Sequence, residues 1–297
     1  MPLHYELSDL RLLLILMRTR SLSASGEAAH LTTSAVSLRL RKLEDGIGAQ
    51  LFTRTGKGLV PTEAGTALAE AAVPILAEAA ALDARLNPFS KHDPEPLRIF
   101  SNSTGLQNFL CRIAADYLRE NSSFRAVLTE QRSSLTPEAV LTGEADLGLI
   151  GGIRELSPAY RTKLELVQFV EDRHVVILPR DSSAAQQFKN RPILFAELLN
   201  LRFAALTDAS PMTAAMKERA LAAGFRFEPI IEAPSFSLLV ELVARGPLAA
   251  VVPASAVPPN APVEVRELED SWAARPLAFV LPKARPALPS AIDFVEF

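Results

Sequence analysis

The sequence predicts an α/β protein: an N-terminal winged helix-turn-helix, a long linker helix, and then a region of two α/β lobes. Three observations predict it. Short segments of helical period crowd the chain from Leu7 to Ile47, and an Ala/Leu/Glu-rich stretch runs from Thr62 to Asn87. Beyond Pro96, strand-like and helix-like segments alternate. At 297 residues the chain is long for one core, and 48% apolar residues supply enough material for several.

The first helix is read from Leu7, Leu10, Leu14 and Met17, with Ser8 and Asp9 as start signals. Ser21 to Ser25 breaks that pattern, and a short helix through Glu27, Ala28 and Ala29 follows. In "HLTTSAVSLRLRKLE" Thr32 is placed to cap a third helix, its oxygen accepting a free backbone N–H. Val36, Leu40, Leu43 and Ile47 form the apolar stripe of that helix, which leaves Ser34, Ser37, Leu38, Arg41 and Lys42 on the opposite arc. Small hydroxyls leading a basic helix suit a groove of DNA better than a protein core. "TRTGKGLVPT", with two glycines and with Arg54 and Lys57 among apolar residues, reads as a β-hairpin wing.

In the long helix Leu68, Ala72, Ile75, Ala79, Leu82 and Leu86 follow the alternating spacing of a coiled-coil seam, and Pro74 predicts a kink. The stripe either pairs with a second copy or packs on its own domain; the linker "NPFSKHDPEP" that follows favours pairing. After it, "LRIFS", a helix from Thr104 to Glu120, "FRAVLTEQ", a helix from Thr136 to Thr142, and "ADLGLIGG" read as β-α-β-α-β with a parallel sheet. A second set follows: "RHVVILP", "LRFAAL", a helix from Pro211, "FRFEPIIEA", a helix from Ser235 and "PLAAVVP". "PLAFVLP" and a terminal helix of about two turns close the chain. The expected boundaries are 1–62 for the head, 63–95 for the helix and linker, and 96–297 for the lobes. Lobe I takes about 96–161 and 268–297, and lobe II about 162–267.

Composition excludes several function classes. With one cysteine, Cys111, neither an intrachain disulfide nor a thiolate metal cluster can form; in its apolar neighbourhood a buried packing thiol is expected. His4, His30, His92 and His174 lack ligand spacing, so no metal and no cofactor is expected. The run "LRLLLILM" is too short for a membrane span and holds Arg11, with Arg18 and Arg20 after it. Neither a membrane anchor nor a signal peptide is read, and a cytoplasmic protein is expected. Net charge is −3, yet Met1 to Gly65 carries eight Lys and Arg against six acids, clustered between Arg39 and Lys57. A local basic stripe is what phosphate responds to. A catalytic reading fails for want of a G-x-S-x-G elbow or P-loop, and "LGLIGG" lacks the spacing of a dinucleotide fingerprint.

"SLSASGEAAHLTTSAVSLRLRKLEDGIGAQLFTR" followed by "LVPTEAG" resembles the DNA-binding domain of LysR-type transcriptional regulators. The matching features are Ala35-Val36-Ser37, Leu43-Glu44, Gly48, Leu51-Phe52 with Arg54, and Thr62-Glu63-Ala64-Gly65. Thr33-Ser34 and Leu38 depart from the residues that family often carries there. The resemblance implies a homodimer through the helix at 63–87, a homotetramer, and a periplasmic-binding-protein-like effector domain. Its partners would be double-stranded promoter DNA and a small-molecule effector, an organic anion being one candidate.

On that reading Thr32, Thr33, Ser34 and Ser37 lead the reading helix into the major groove, which accepts one helix. Leu38 can meet a thymine methyl, Arg41 a guanine or phosphate, and Arg54 and Lys57 on the wing the backbone, with Lys42 a further DNA-binding candidate on the same arc. In the lobes, helix N-termini at the carboxyl ends of strands suit an anion. Asn102, Ser103 and Thr104 stand at one, Thr207 and Ser210 at another, and Ser235 at a third. The resemblance places effector contacts at the first two and at Arg132-Ser133-Ser134. Arg132 and Arg202 are candidate charges for a carboxylate, which Asp208 would oppose. Two other readings remain: a DNA-binding repressor with no functional effector site, and a solute-binding protein.

Overall fold

The computed structural model describes residues 5–56, 58–86, 89, 95–153, 156–189, 191–207, 210–283 and 287–297, the side chains of residues 84 and 159 apart. Lys57, His4, His92 and Asp208 lie outside the described residues.

The head is built from α1 (Leu7–Thr19), α2 (Leu22–Ala29), α3 (Thr33–Ile47) and a hairpin of β1 (Phe52–Thr55) and β2 (Gly58–Pro61). α1 begins earlier than Ser8 and Asp9 suggest. Glu6 is its N-cap, and the Asp9 carboxylate accepts the Glu6 backbone N–H (3.0 Å). α2 is also longer than expected. The Ser21 hydroxyl accepts the Ala24 N–H and starts it, and Ser25, fully buried, shares a 2.6 Å hydrogen bond with Thr19. Those serines look like a break because their hydroxyls are polar, but a local partner removes the cost of burying one. The core joins Leu10, Leu13 and Leu16 of α1 to Val36, Leu40 and Leu43 of α3, and to Leu51, Phe52 and Leu59 around the wing. The Glu44 carboxylate accepts the backbone N–H groups of Leu51 and Phe52 (2.8 and 3.3 Å), so the acid beside Leu43 sets where the chain leaves α3 for the wing.

α4 (Glu63–Leu86) runs unbroken through Pro74, which is exposed. By length and composition alone α4 could cross a membrane. Its inward face, however, is Ala69, Ala72 and Leu76, packed into the head core. Ala72 therefore leaves the expected seam, while Ile75, Leu82 and Leu86 of that seam are exposed.

Lobe I contains β3 (Leu97–Ser101), then α5 (Ser103–Gly105), a π turn over Leu106–Leu110 and α6 (Cys111–Glu120) in continuous succession, and β4 (Ala126–Glu130). α7 (Thr136–Leu141), β5 (Leu147–Gly151), α8 (Pro158–Arg161) and β6 (Leu164–Glu171) follow. Lobe II holds β7 (His174–Pro179), α9 (Ser183–Gln187), β8 (Ala204–Leu206), α10 (Pro211–Ala222), β9 (Ile231–Ala233), α11 (Phe236–Arg245), β10 (Ala250–Pro253) and β11 (Val263–Glu267). The chain then returns to lobe I as β12 (Pro276–Pro282) and α12 (Pro289–Glu296).

The sheet of lobe I has the order β4-β3-β5-β12-β6. It is mixed rather than parallel: β3 pairs in parallel with β4 and β5, whereas β12 runs antiparallel to both β5 and β6. Because β6 belongs to this sheet, lobe I extends to Glu171 and not to about 161. Leu268 and Ala273 lie in the core of lobe II, so the return falls after Ala273 rather than at 268. The β6 stretch escapes sequence reading because its burial is irregular; only Leu164 is buried, and period two is lost. In lobe II, β7 is flanked by β10 and β11, both antiparallel, and β8 pairs in parallel with β9. A bridge from Phe203 to Ala249 links β8 to this sheet.

Candidate nucleic-acid interface and effector cleft

On α3 the core stripe leaves Thr32, Thr33, Ser34, Leu38, Arg41 and Lys42 exposed, with Ser37 half-buried. Thr32 caps the helix as expected, its Oγ accepting the Ala35 N–H (3.2 Å), and its hydroxyl also pairs with that of Ser34 (3.0 Å). Leu38, 54% exposed on a polar face, has no folding reason to be there, which makes it a contact candidate. Arg54 of the wing does more than face solvent: its guanidinium donates to the Ser37 Oγ (3.1 Å), which ties wing to reading helix. A groove of about 280 Å³ runs between these elements, lined by Arg20, Ser21, Ser23, Thr33, Arg54 and Thr55 among others. Sequence reasoning missed Arg20, Ser21 and Ser23. They precede or open α2, and only the fold brings that end beside α3 and the wing.

Gly65 fixes the join between head and α4. A methyl group built on it would lie 2.1 Å from the carbonyl oxygen of Leu51 and 3.0 Å from its carbon, both rigid backbone. That same oxygen accepts the Thr62 N–H (2.9 Å), and the Gly65 N–H donates to the Thr62 hydroxyl (3.0 Å). Gly65→Ala is expected to destabilise the head by about 1–3 kcal/mol through overpacking, measured as a shift in urea midpoint at unchanged slope. A variant as stable as the parent would mean that the Leu51 turn yields freely.

In lobe I the Asn102 side chain caps α5 by accepting the Gly105 N–H (2.9 Å) and donates through Nδ2 to the Ser133 Oγ (2.8 Å). The structure therefore joins two of the expected effector segments, at the carboxyl ends of β3 and β4. Thr104 is buried, Ser103 half-buried and Arg132 exposed. In lobe II, Thr207 follows β8, exposed, and its carbonyl accepts the Ser210 N–H (2.8 Å). Ser210 stands at the N-cap of α10, with Pro211 in the first turn, and its side chain makes no cap hydrogen bond. Ser235 does cap α11, accepting the Leu238 N–H (3.3 Å). Among the described residues the lobe I set and the trio Thr207, Ser210 and Ser235 make their hydrogen bonds within their own lobes.

Arg202 leaves the group: it lies before the amino end of β8, whereas Thr207 follows the carboxyl end, and it lines a separate groove with Ile230, Ile231 and Leu238. Cys111 is exposed, not the buried packing thiol expected, because the apolar face of its helix points the other way. Among the described residues no group of three or more His, Cys, Asp or Glu could hold a metal ion.

What the sequence did not reveal is the polar knot at the crossover. The Asp172 carboxylate accepts the Ser255 N–H (3.1 Å) and hydroxyl (2.9 Å), and the Arg275 guanidinium lies 3.8 Å away. The Asp172 N–H donates to the Arg275 carbonyl (2.9 Å), joining the outgoing and returning strands. Asn108 of lobe I donates to the Ser255 hydroxyl (3.0 Å) and extends the knot across the lobes. Beside it His174 packs near Trp272, and its pKa is lowered to about 4. Burial is the main cause, followed by the positive charges of Arg275 and Arg219, and a backbone bond at Trp272 offsets part of this.

Residues 7–66 match the family of bacterial regulatory helix-turn-helix proteins of the lysR type, and residues 90–297 match the LysR substrate binding domain. The RuBisCO operon transcriptional regulator of Allochromatium vinosum is 28% identical over 215 residues, covering 72% of this chain and 68% of that one. The activator IlvY of Salmonella typhimurium is 31% identical over 146 residues, 49% of this chain and 50% of that one. The uncharacterized regulator YeiE of Escherichia coli K12 is 28% identical over 184 residues, 62% of this chain and 60% of that one. The matched part thus spans between half and about two thirds of these relatives' lengths. Among solved structures, a full-length OxyR variant from Pseudomonas aeruginosa superposes with TM-score 0.62 at 20% identity, covering 98% of this chain and 93% of that one. Full-length CbnR in complex with its target DNA gives 0.53 at 18% identity, covering 98% and 99%. With both halves of the chain matched, this protein belongs to the LysR family of transcriptional regulators.

Proposed function

We propose that this chain binds a specific promoter sequence as a homo-oligomer in the bacterial cytoplasm and changes that binding when a small molecule occupies the cleft between its lobes. The observation that carries the reading is the outward arc of α3. Thr33, Ser34, Leu38, Arg41 and Lys42 stand exposed there while Val36, Leu40 and Leu43 are buried behind them. Thr32, Thr33, Ser34 and Ser37 approach base edges and phosphates at the helix tip, and Arg41 supplies the contact with most discrimination. Arg54 holds the wing to the helix, and Lys42 and Lys57 meet phosphate. That a CbnR chain of the same fold was crystallised with target DNA supports this docking.

Arg41→Ala is expected to weaken binding to the preferred duplex by about 5- to 150-fold, the equivalent of about 1–3 kcal/mol. Fluorescence anisotropy with a duplex enriched by the protein from a random pool measures it. An equal loss on enriched and scrambled duplexes would reassign Arg41 to phosphate alone. Failure to enrich any duplex would overturn the regulator reading.

Dimerisation runs through the 63–87 helix, whose exposed Ile75, Leu82 and Leu86 offer an apolar face, and pairs of dimers form a tetramer. The effector site comprises Asn102, Ser103, Thr104, Arg132 and Ser133 from lobe I, with Thr207, Ser210 and Ser235 from lobe II. Hydroxyls, helix N-termini and Arg132 suit a small organic anion.

A further inference from the structure

The head and lobe I are in direct contact, and the contact is made by the far end of the element that begins at the Arg132-Ser133 loop. α7 is six residues long, about 9 Å at the helical rise, and Thr136, Pro137, Ala139, Val140 and Leu141 are all buried. Its first turn is locked to the loop: the Arg132 carbonyl accepts the N–H groups of Leu135 and Thr136 and the Thr136 hydroxyl. Ser133, one residue on, is the partner of Asn102. At the other end the chain turns at Gly143, whose φ of +72° suits glycine. There it meets α4, since a methyl group on Gly143 would lie 2.6 Å from the Cβ of Ala80. Glu144 then receives the guanidinium of Arg18, from the end of α1, at 3.2 and 3.5 Å. Burial pushes the Glu138 carboxyl up, and the nearby Arg18 charge opposes it, so the two elements share an electrostatic environment as well as a surface.

We infer that α7 is a strut: a movement of the Arg132-Ser133 loop shifts Gly143 and Glu144 against Ala80 and Arg18, and so moves the DNA-binding head relative to lobe I. A short helix buried along nearly its whole length has no free volume in which to absorb such a displacement, because close-packed interiors transmit strain. The inference rests on the regulator reading, but it assigns the coupling to residues that touch neither DNA nor effector.

Reciprocity makes the strut testable without knowing the effector, since DNA binding must be felt at the loop if the loop is felt at the DNA. The experiment is hydrogen exchange by mass spectrometry on the full chain, with and without a duplex enriched by the protein from a random pool. In the parent, amides of 132–136 are expected to change exchange rate by about threefold or more on binding. In Gly143→Ala, and separately in Arg18→Gln with Glu144→Gln, duplex binding is expected to persist while that change disappears. The second variant removes the charges of the ion pair, keeps polar side chains at both positions and leaves the Gly143 turn alone, so a folding defect in the first does not decide the matter. An unresponsive loop in the parent, or a response that survives in both variants, overturns the strut alone. A protein that enriches no duplex removes the regulator reading and the strut with it.

Discussion

Asp172→Ala is expected to destabilise the effector domain by about 3–5 kcal/mol, the usual cost of removing one partner from a buried charge pair. The carboxylate is buried and accepts two hydrogen bonds from Ser255, while the Arg275 guanidinium lies 3.8 Å away on a side chain that is only 15% exposed. Burial holds the Arg275 pKa below its ordinary value, and Asp172 is the group that opposes the shift. Without it a positive charge remains enclosed beside a second positive residue, Arg219, which stacks on Trp272 at 4.8 Å. The Ser255 N–H and hydroxyl lose their acceptor as well. Urea unfolding of the full chain, followed by Trp272 fluorescence, measures the loss. A variant within about 1 kcal/mol of the parent would show that solvent replaces the carboxylate and that the crossover is looser than its geometry implies.

The second large effect is acid-side instability carried by His174. Its pKa is about 4 in the folded chain against an ordinary value of 6.5. The folded value is the lower one, so between these pH values the unfolded chain binds the proton and the folded chain does not. Stability is therefore full above about pH 6.5 and falls as pH drops towards 4, by about 3 kcal/mol in all. The physical cause is burial first, then the repulsion from Arg275 and Arg219. His174→Phe keeps a ring against Trp272 and cannot take up a proton. Its unfolding free energy is expected to decline less than the parent's between pH 7 and 4.5, the gap opening steadily as pH falls. Parallel curves for the two proteins would falsify the assignment.

Both effects arise in a place that sequence reading passes over. Asp172, His174, Ser255 and Arg275 are scattered in the chain, and each is unremarkable among its neighbours. The fold brings them together because the chain crosses between lobes at 171–174 and returns after Ala273. The β6 strand hid the first crossing: half-covered on an edge beside β12, it lacks the alternation that marks a strand. Arg202 and Thr207 read as one cleft group because they are near in sequence, yet a strand separates their ends. Cys111 read as buried because its neighbours are apolar, but at 100° per residue neighbours do not share a face.

The elements of the reading head are legible in the chain because each rests on local physics. The Thr32 cap, the Val36, Leu40 and Leu43 stripe and the Arg41 arc all act within a few residues of one another. The β-α order of the lobes and the caps at Asn102 and Ser235 are legible for the same reason. Contacts between distant segments settle the rest: which side of α4 is claimed by its own head, where the wing arginine goes, which strands share a sheet and what ties the lobes together. Those choices are made by long-range packing and by the pairing of buried polar groups, and neither leaves a periodic mark on the chain.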